Sequence, residues 1–384
     1  MSTQSLRHRR GLLALYLAGV LIATWQRGVL PNDHSTFTIF RQSFVHLANH
    51  QNLYASYPAE QGAHPVHRFK YSPSAAVLFA PLSTVPAPVA LLGWNLLNVG
   101  LLILALTRLL PPARANLALL ILAPEVFVAI QSSSSNALVT ALIILAALAY
   151  WKDQTGRAAF AIVTGAAIKI FPLAAFTVAL LGRRWRIAAL SAACAVLAVG
   201  ALPLLVVPPA EVLQQYRWWS ILERSDAQDM AFGLSLMRQF RDWWAVEWPN
   251  WIVQLIGTLA FLAPLAVRRD RWTDPAFRTG FLCSLLIYVT IFNHQAERQS
   301  FVIAATGCAI WFVGSRITAE RSVLLALGII GVPTLPYFVM WLIIQWELLA
   351  GSPSAPMESV RSLGVPSVRS AARWMSPARY PRAS

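Results

Sequence analysis

Long stretches of this chain carry no charge. Gly11–Trp25, Val89–Leu106 and Ile187–Val207 approach or reach the roughly 20 residues that a helix needs to cross hydrocarbon. Backbone polar groups in hydrocarbon must be paired within the chain, so each apolar run reads as a helix. The pattern predicts a first span over about 11–27, a polar stretch from Leu30 to Ser72, a short apolar piece at 74–86 and a span at 88–108. Shorter runs at 117–130 and 137–151 flank a polar knot, Gln131 to Asn136. The run 158–182 is interrupted by Lys169 and Pro172, and a span at 187–207 leads to a second polar stretch, Pro208–Pro249. Runs at 250–267, 277–292 and 299–314 follow, then a final apolar region at 322–346 containing Pro333 and Pro336. The expected fold is all-α: a polytopic transmembrane helical bundle over residues 1–350. The Ser, Pro and Arg content of 351–384 reads as a disordered basic tail.

The interruption at Lys169 decides the topology. As one span, 158–182 would place Arg183, Arg184 and Arg186 on the outer side, against the rule that basic residues stay inside. A helix that enters to Lys169 and turns back at Phe171-Pro172 removes the conflict, and broken helices are tolerated where they line a polar cavity. Sixteen Lys and Arg then lie inside against ten outside, leaving out the tail. Both polar stretches, and the later turn with His294 and Glu297, share the outer face. The expected location is a plasma or inner membrane, with the polar chemistry on its outer or periplasmic side.

Composition agrees with the pattern. Hydrophobic residues make up 57% and charged residues 12%, about half the charge of a soluble domain. The net charge of +15 lies in short clusters between apolar runs, which orients membrane helices and excludes a nucleic-acid partner. Cys194, Cys283 and Cys308 fall inside apolar runs at no metal or redox spacing. Arg7-His8-Arg9-Arg10 before the first run reads as a signal anchor that stays as the first span.

Few residues remain for chemistry. Asp33 follows the first span and is either the N-cap of an amphipathic interfacial helix over 35–50 or a general base at the membrane boundary. His46 and His50 stand four apart, as two metal ligands would, or are simply solvated; no third or fourth ligand is evident at helical spacing. Arg68 and Lys70 either bind a phosphate or snorkel to lipid headgroups, and Tyr71 is a neighbouring aromatic. Lys169 beside Pro172 reads as an anion site at a helix break, since a lysine amid apolar residues is costly. Gln131 and Asn136 either tie helices together or line a cavity. Five tryptophans in the second polar stretch, with Trp251 just beyond it, fit an interfacial belt or sugar and isoprenoid contacts. His294, with Glu297 and Arg298 behind it, is placed to relay a proton or hold a phosphate.

In this order these pieces resemble glycosyltransferase family 87, polytopic mannosyltransferase-like enzymes of the GT-C fold that use polyprenyl-phosphate sugars. The resemblance rests on Asp33, Leu53-Tyr54, Phe69 to Pro73, Gln131 with Asn136, Gly165 to Lys169 and Pro172, Arg183-Arg184-Trp185-Arg186, and Asn293 to Glu297. The element Asp229–Arg238 lacks the Asn-Gln pair of relatives. The final apolar region is short where relatives have two spans; the tail is inside if both halves turn back and outside if they form one span. The resemblance implies an inverting hexosyltransferase acting from the outer leaflet on an unidentified lipid or glycan acceptor. Asp33 would be the base and His294 a second catalytic group. Lys169, with Arg68 or Lys70, would bind the donor phosphate, and Tyr71, Gln131, Asn136, Glu297 and Arg298 would line the substrate cavity. No metal or other cofactor is implied. The competing reading is a transporter or flippase for a lipid-linked or anionic substrate, which broken helices and intramembrane charge also fit.

Overall fold

The computed structural model describes residues 3–30, 35–61, 68–182, 184–226, 233–245, 247–331 and 333–351. Asp33, His34, His64, His67, Arg183, Asp229 and the tail lie outside the described residues. The chain begins with α1 (Thr3–Gly28), and the first polar stretch folds as α2 (Ser35–Ala48), α3 (Pro58–Gln61), α4 (Pro73–Leu78) and α5 (Ala80–Ser83). The bundle continues through α6 (Ala87–Leu109), α7 (Pro112–Gln131), α8 (Asn136–Trp151) and α9 (Thr155–Ile168). A 3-10 helix, Phe171–Leu181, leads to α10 (Trp185–Gly200) and a 3-10 turn, Leu202–Leu205. The second polar stretch forms α11 (Pro209–Asp226) and α12 (Leu236–Trp244). The chain closes with α13 (Asn250–Val267), α14 (Pro275–Ile291), α15 (Phe301–Gly314), α16 (Ala319–Ile330) and α17 (Thr334–Ala350). Among the described residues, four helices are long and apolar enough to cross a membrane: Ala87–Leu109, Pro112–Gln131, Trp185–Leu205 and Asn250–Val267.

Proline sets many of the helix starts. Pro73, Pro88, Pro112 and Pro275 stand in first turns, where an N–H would have no partner in any case. Ser235, Asp274 and Thr318 cap the next helices by accepting from backbone N–H groups. The centre of the bundle is α14 against α15, whose Phe281, Leu285, Val302 and Ile303 are wholly buried. At the periphery, α10 and α13 turn Leu190, Leu197 and Leu259 outward, as a lipid-facing surface requires.

The interrupted run is a hairpin. The backbone of α9 stops at Lys169, which is extended, and the 3-10 helix packs back along α9. The far ends of both arms meet at Arg278 on α14: its guanidinium donates to Leu181 O at 3.2 Å and lies within electrostatic reach of Asp153 in the α8–α9 turn. Cysteines placed at Gln154 and Arg184, in a background lacking the native three, should therefore react with a membrane-impermeant maleimide from one side only. Labelling from opposite sides would exclude the hairpin.

The final apolar region also turns back. Helices α16 and α17 pack together, and Glu347 near the end of α17 holds Arg321 and Trp311. Arg268 donates to Leu349 O at 2.7 Å. Gly351 thus joins the arginine-rich end of the bundle, together with Arg268, Arg271, Arg278 and Arg321. The two polar stretches and the turn after α14 gather at the opposite end.

Candidate functional site

The first polar stretch is fixed to the tip of the hairpin. Ser72 donates through its backbone N–H (3.2 Å) and its hydroxyl (2.7 Å) to Ala167 O, which brings the Arg68–Ser72 segment towards the end of α9 and Lys169. Tyr71 is held from behind by aromatic packing. Phe40 of α2 meets its ring edge-on at 5.1 Å, Phe69 at 5.4 Å, and Tyr54 donates to its carbonyl at 2.9 Å. The packing continues through Phe79 to Trp94 of α6, whose indole donates to Ser133 O. Helix α2 is amphipathic, as the sequence predicts, and most of its apolar face is spent on protein: Phe37, Ile39, Phe40 and Leu47 are buried.

The second polar stretch closes over the first. Gln215 of α11 accepts from Leu53 N and donates to Gln51 O, and Tyr216 meets Ser74 at 2.8 Å. At the end of α11, Asp226 binds Lys70 at 2.6 Å, and its carbonyl receives Nε2 of His294 at 3.2 Å and the amide of Gln295. A carbonyl only accepts, so Nε2 of His294 carries hydrogen there. Gly233 lies against the His294–Ala296 backbone at φ +128°; a Cβ there would fall 3.1 Å from His294 O, so only glycine fits. One turn before Asp226, Glu223 accepts from the indole of Trp219 at 3.1 Å. Burial pushes the Glu223 carboxyl up, Trp219 and Lys70 oppose this, and the charge on Asp226 adds to it.

Lys169 lies where these elements converge. It is densely surrounded by protein yet half-buried, keeping an accessible face. Among the described residues its ammonium makes no hydrogen bond and no ion pair. Among the described residues the charged group within its electrostatic reach is Glu297, which also acts on Tyr71 and is itself exposed. Glu297 is thus within electrostatic reach of both Lys169 and Tyr71, and Lys70 and His294 are joined to each other through Asp226.

The other expected site residues are committed elsewhere. Arg68 lines a separate small cleft beside His46, Tyr57 and Glu60. His46 is held by Glu60 at 2.7 Å and stacked on Tyr57, while His50 lies beyond the end of α2 on Glu211. The two histidines therefore do not converge, and among the described residues no three potential ligands gather for a metal ion. Gln131 ties α7 to Gln26 and Arg27 of α1. Asn136 is wholly buried and donates to Gln299 O. A second cleft, between α14, α15 and α17, lies at the arginine-rich end, where Arg271 is paired with Asp274 and Glu347 with Arg321.

Arg298 points inward to a residue that sequence reasoning missed. Glu125 of α7 is wholly buried and receives both terminal nitrogens of Arg298, at 2.5 and 2.8 Å. This pair anchors the turn that carries His294 and Glu297. An acid inside the 117–130 run beside Pro124 was a visible signal, since intramembrane acids are expensive and demand a partner. Glu125→Ala should cost about 2 kcal/mol, below the 3–5 kcal/mol typical of breaking a fully enclosed pair, because Arg298 can turn partly to water. Thermal unfolding in detergent measures it; an unchanged midpoint would remove Glu125 as the anchor.

The sequence profile of Glycosyltransferase family 87 matches residues 69–292, more than half of the chain. The chain belongs to glycosyltransferase family 87. It is therefore a membrane glycosyltransferase, and a sugar donor and an acceptor are its substrates. Membership in family 87 favours an enzyme over a transporter or flippase. The matched stretch includes Lys70, Tyr71, Lys169, Glu223 and Asp226 and stops just before the turn with His294 and Glu297. No curated protein matches the chain.

Proposed function

We propose that this family 87 enzyme moves a hexose, mannose-like in class, from a polyprenyl-phosphate carrier to an acceptor hydroxyl at the outer face of the membrane. The observation that carries this reading is the ammonium of Lys169: enclosed, accessible on one face, and without a hydrogen-bonded or ionic partner among the described residues. Such a cation suits a lipid phosphate arriving from the leaflet. Asp33, two residues before the start of α2, is the general base. It takes the acceptor proton while the acceptor oxygen attacks the anomeric carbon from the face opposite the phosphate. The new C–O bond forms as the old one breaks, its electron pair stays on the phosphate, and the sugar inverts. Lys169 stabilises the charge that grows on the phosphate. His294, held through Nε2 on Asp226, stands at the rim to bind the phosphate or assist proton transfer. Lys70 contributes through its pair with Asp226, and Tyr71 forms a wall.

The test is transfer by the purified protein from polyprenyl-phosphate mannose and polyprenyl-phosphate glucose to a panel of lipid and glycan acceptors, with the anomeric configuration read by NMR. An inverted product from either donor supports the reading. Activity with a nucleotide sugar and none with lipid-phosphate sugars would overturn it.

A further inference from the structure

Helix α12 is a short bar laid across the polar end of the bundle. Its apolar residues, Leu236, Met237, Phe240, Trp243 and Trp244, recur at the spacing of a single helix face. Arg238, Arg241 and Asp242 share the opposite face, where Arg238 pairs with Asp242 at 2.5 Å. Both ends of the bar are tied to the level at which other helices begin. At its start, Ser235 caps the helix, and Leu234 O accepts from the hydroxyl of Thr334, the first residue of α17. At its end, Ala245 turns the backbone left-handed (φ 52°), and α13 begins five residues later at Asn250. Helix α12 therefore lies along the plane of the membrane rather than across it.

Only half of its apolar face is spent on protein. Leu236 and Met237 are buried where α12 packs on α17, whereas Trp243 and Trp244 overhang, each at least half exposed. Trp248 and Trp251 are as open. From Trp251 the exposed stripe runs on at four-residue steps through Leu255 and Leu259 of α13, a helix long and apolar enough to cross a membrane. The four indoles thus continue a lipid-facing surface at its polar end. Tryptophan is favoured at such a boundary because its ring is apolar and its N–H polar. The bar also begins beside the candidate site: Leu234 N donates to Ala296 O at 2.6 Å, and Gly233 lies against the His294–Ala296 backbone.

We propose that α12 is an interfacial anchor: Trp243 and Trp244 seat in the headgroup–acyl boundary of the leaflet at this end, and the bar holds the His294 turn at a fixed level relative to that boundary. The occupant is the lipid surface itself, because the indole patch runs without a break into the lipid-facing stripe of α13. The anchor is independent of what Lys169 binds.

The experiment uses the full chain, its three native cysteines replaced, in phosphatidylcholine–phosphatidylglycerol nanodiscs. A bimane fluorophore is attached to Trp244→Cys or, as a depth reference, to Leu259→Cys, which lies about 12 Å further along α13 than Trp251. Lipids with a nitroxide near the headgroup should quench the Trp244→Cys label at least about threefold more than lipids with it at the chain end, and the Leu259→Cys label should show the reverse order. Quenching of the Trp244→Cys label by aqueous iodide alone, or chiefly by the chain-end nitroxide, overturns the anchor. Hydrogen exchange of the 293–299 backbone then tests the link to the turn. The double variant Trp243→Ser, Trp244→Ser should speed exchange there about tenfold or more, with α14 and α15 unchanged. The pair Trp243→Phe, Trp244→Phe should stay within about threefold of the unaltered protein. If the serine pair fails to fold, Trp244→Ser alone makes the comparison. Unchanged exchange in the serine variant overturns the hold on the His294 turn.

Discussion

Lys169→Met should lower sugar transfer by about 100-fold or more while leaving the thermal unfolding midpoint in detergent unchanged or raised. The two halves of this expectation come from one fact. The ammonium makes no hydrogen bond or ion pair among the described residues, so the fold gains little from its charge and bears the larger cost of partial desolvation. Methionine keeps the length of the side chain and removes that cost. The transition state, by contrast, loses a positive group aimed at the phosphate. Removing one such stabilising group typically costs on the order of 100- to 1,000-fold in rate. Lys169→Arg should recover only part of the activity, because the guanidinium is planar and larger than the ammonium that the hairpin tip encloses. The rate is read with a polyprenyl-phosphate sugar and the stability by thermal unfolding of the same samples. A variant that transfers normally, or one that unfolds, would end the assignment.

Asp33→Asn should abolish transfer to a comparable or greater extent, with insertion and unfolding unaffected. Loss of a general base costs on the order of 100- to 10,000-fold. Asparagine is as good a helix N-cap as aspartate, so the substitution spares a capping role and removes only the basic one. Activity within a few fold of the unaltered enzyme would return Asp33 to the cap of α2. Donor binding supplies an independent check: Asp33→Asn should still bind farnesyl phosphate, whereas Lys169→Met should not.

Most of the helical layout was legible in the sequence because the bilayer imposes a strict rule. Runs at 88–108, 137–151 and 250–267 correspond closely to α6, α8 and α13, since apolar length and backbone satisfaction leave no other structure. The hairpin followed from charge: arginines flank a run whose middle holds Lys169 and Pro172. The candidate site was legible only where one residue is anomalous for its surroundings, as Lys169 is. Pairings across the chain were not. Nothing near Asp226 indicates that it will take Lys70 from 156 positions away and His294 from 68, because such contacts are set by how loops close over one another. Arg68 and Lys70 looked equivalent in sequence, yet one lines the cleft by His46 and the other is bound to Asp226. Glu125 was readable in principle, and its partner Arg298 was not.

The shortness of the hairpin bears on the host membrane. With 14 residues, α9 rises about 21 Å, and the 11 residues of the returning 3-10 helix span about 22 Å, against a hydrocarbon core of roughly 30 Å. Both arms start from the arginine-rich end, and each is several ångströms shorter than that core. Under the proposed assignment of Lys169, a donor phosphate in the opposite leaflet would have to sink below its neighbours to reach the ammonium, or the leaflet around the hairpin tip would have to thin to meet it. Either displacement costs a fraction of a kcal/mol per ångström of mismatch. On that assignment the thickness of the surrounding lipid would enter the energetics of donor capture, and the acyl-chain length of the bilayer would become a partner in setting the rate.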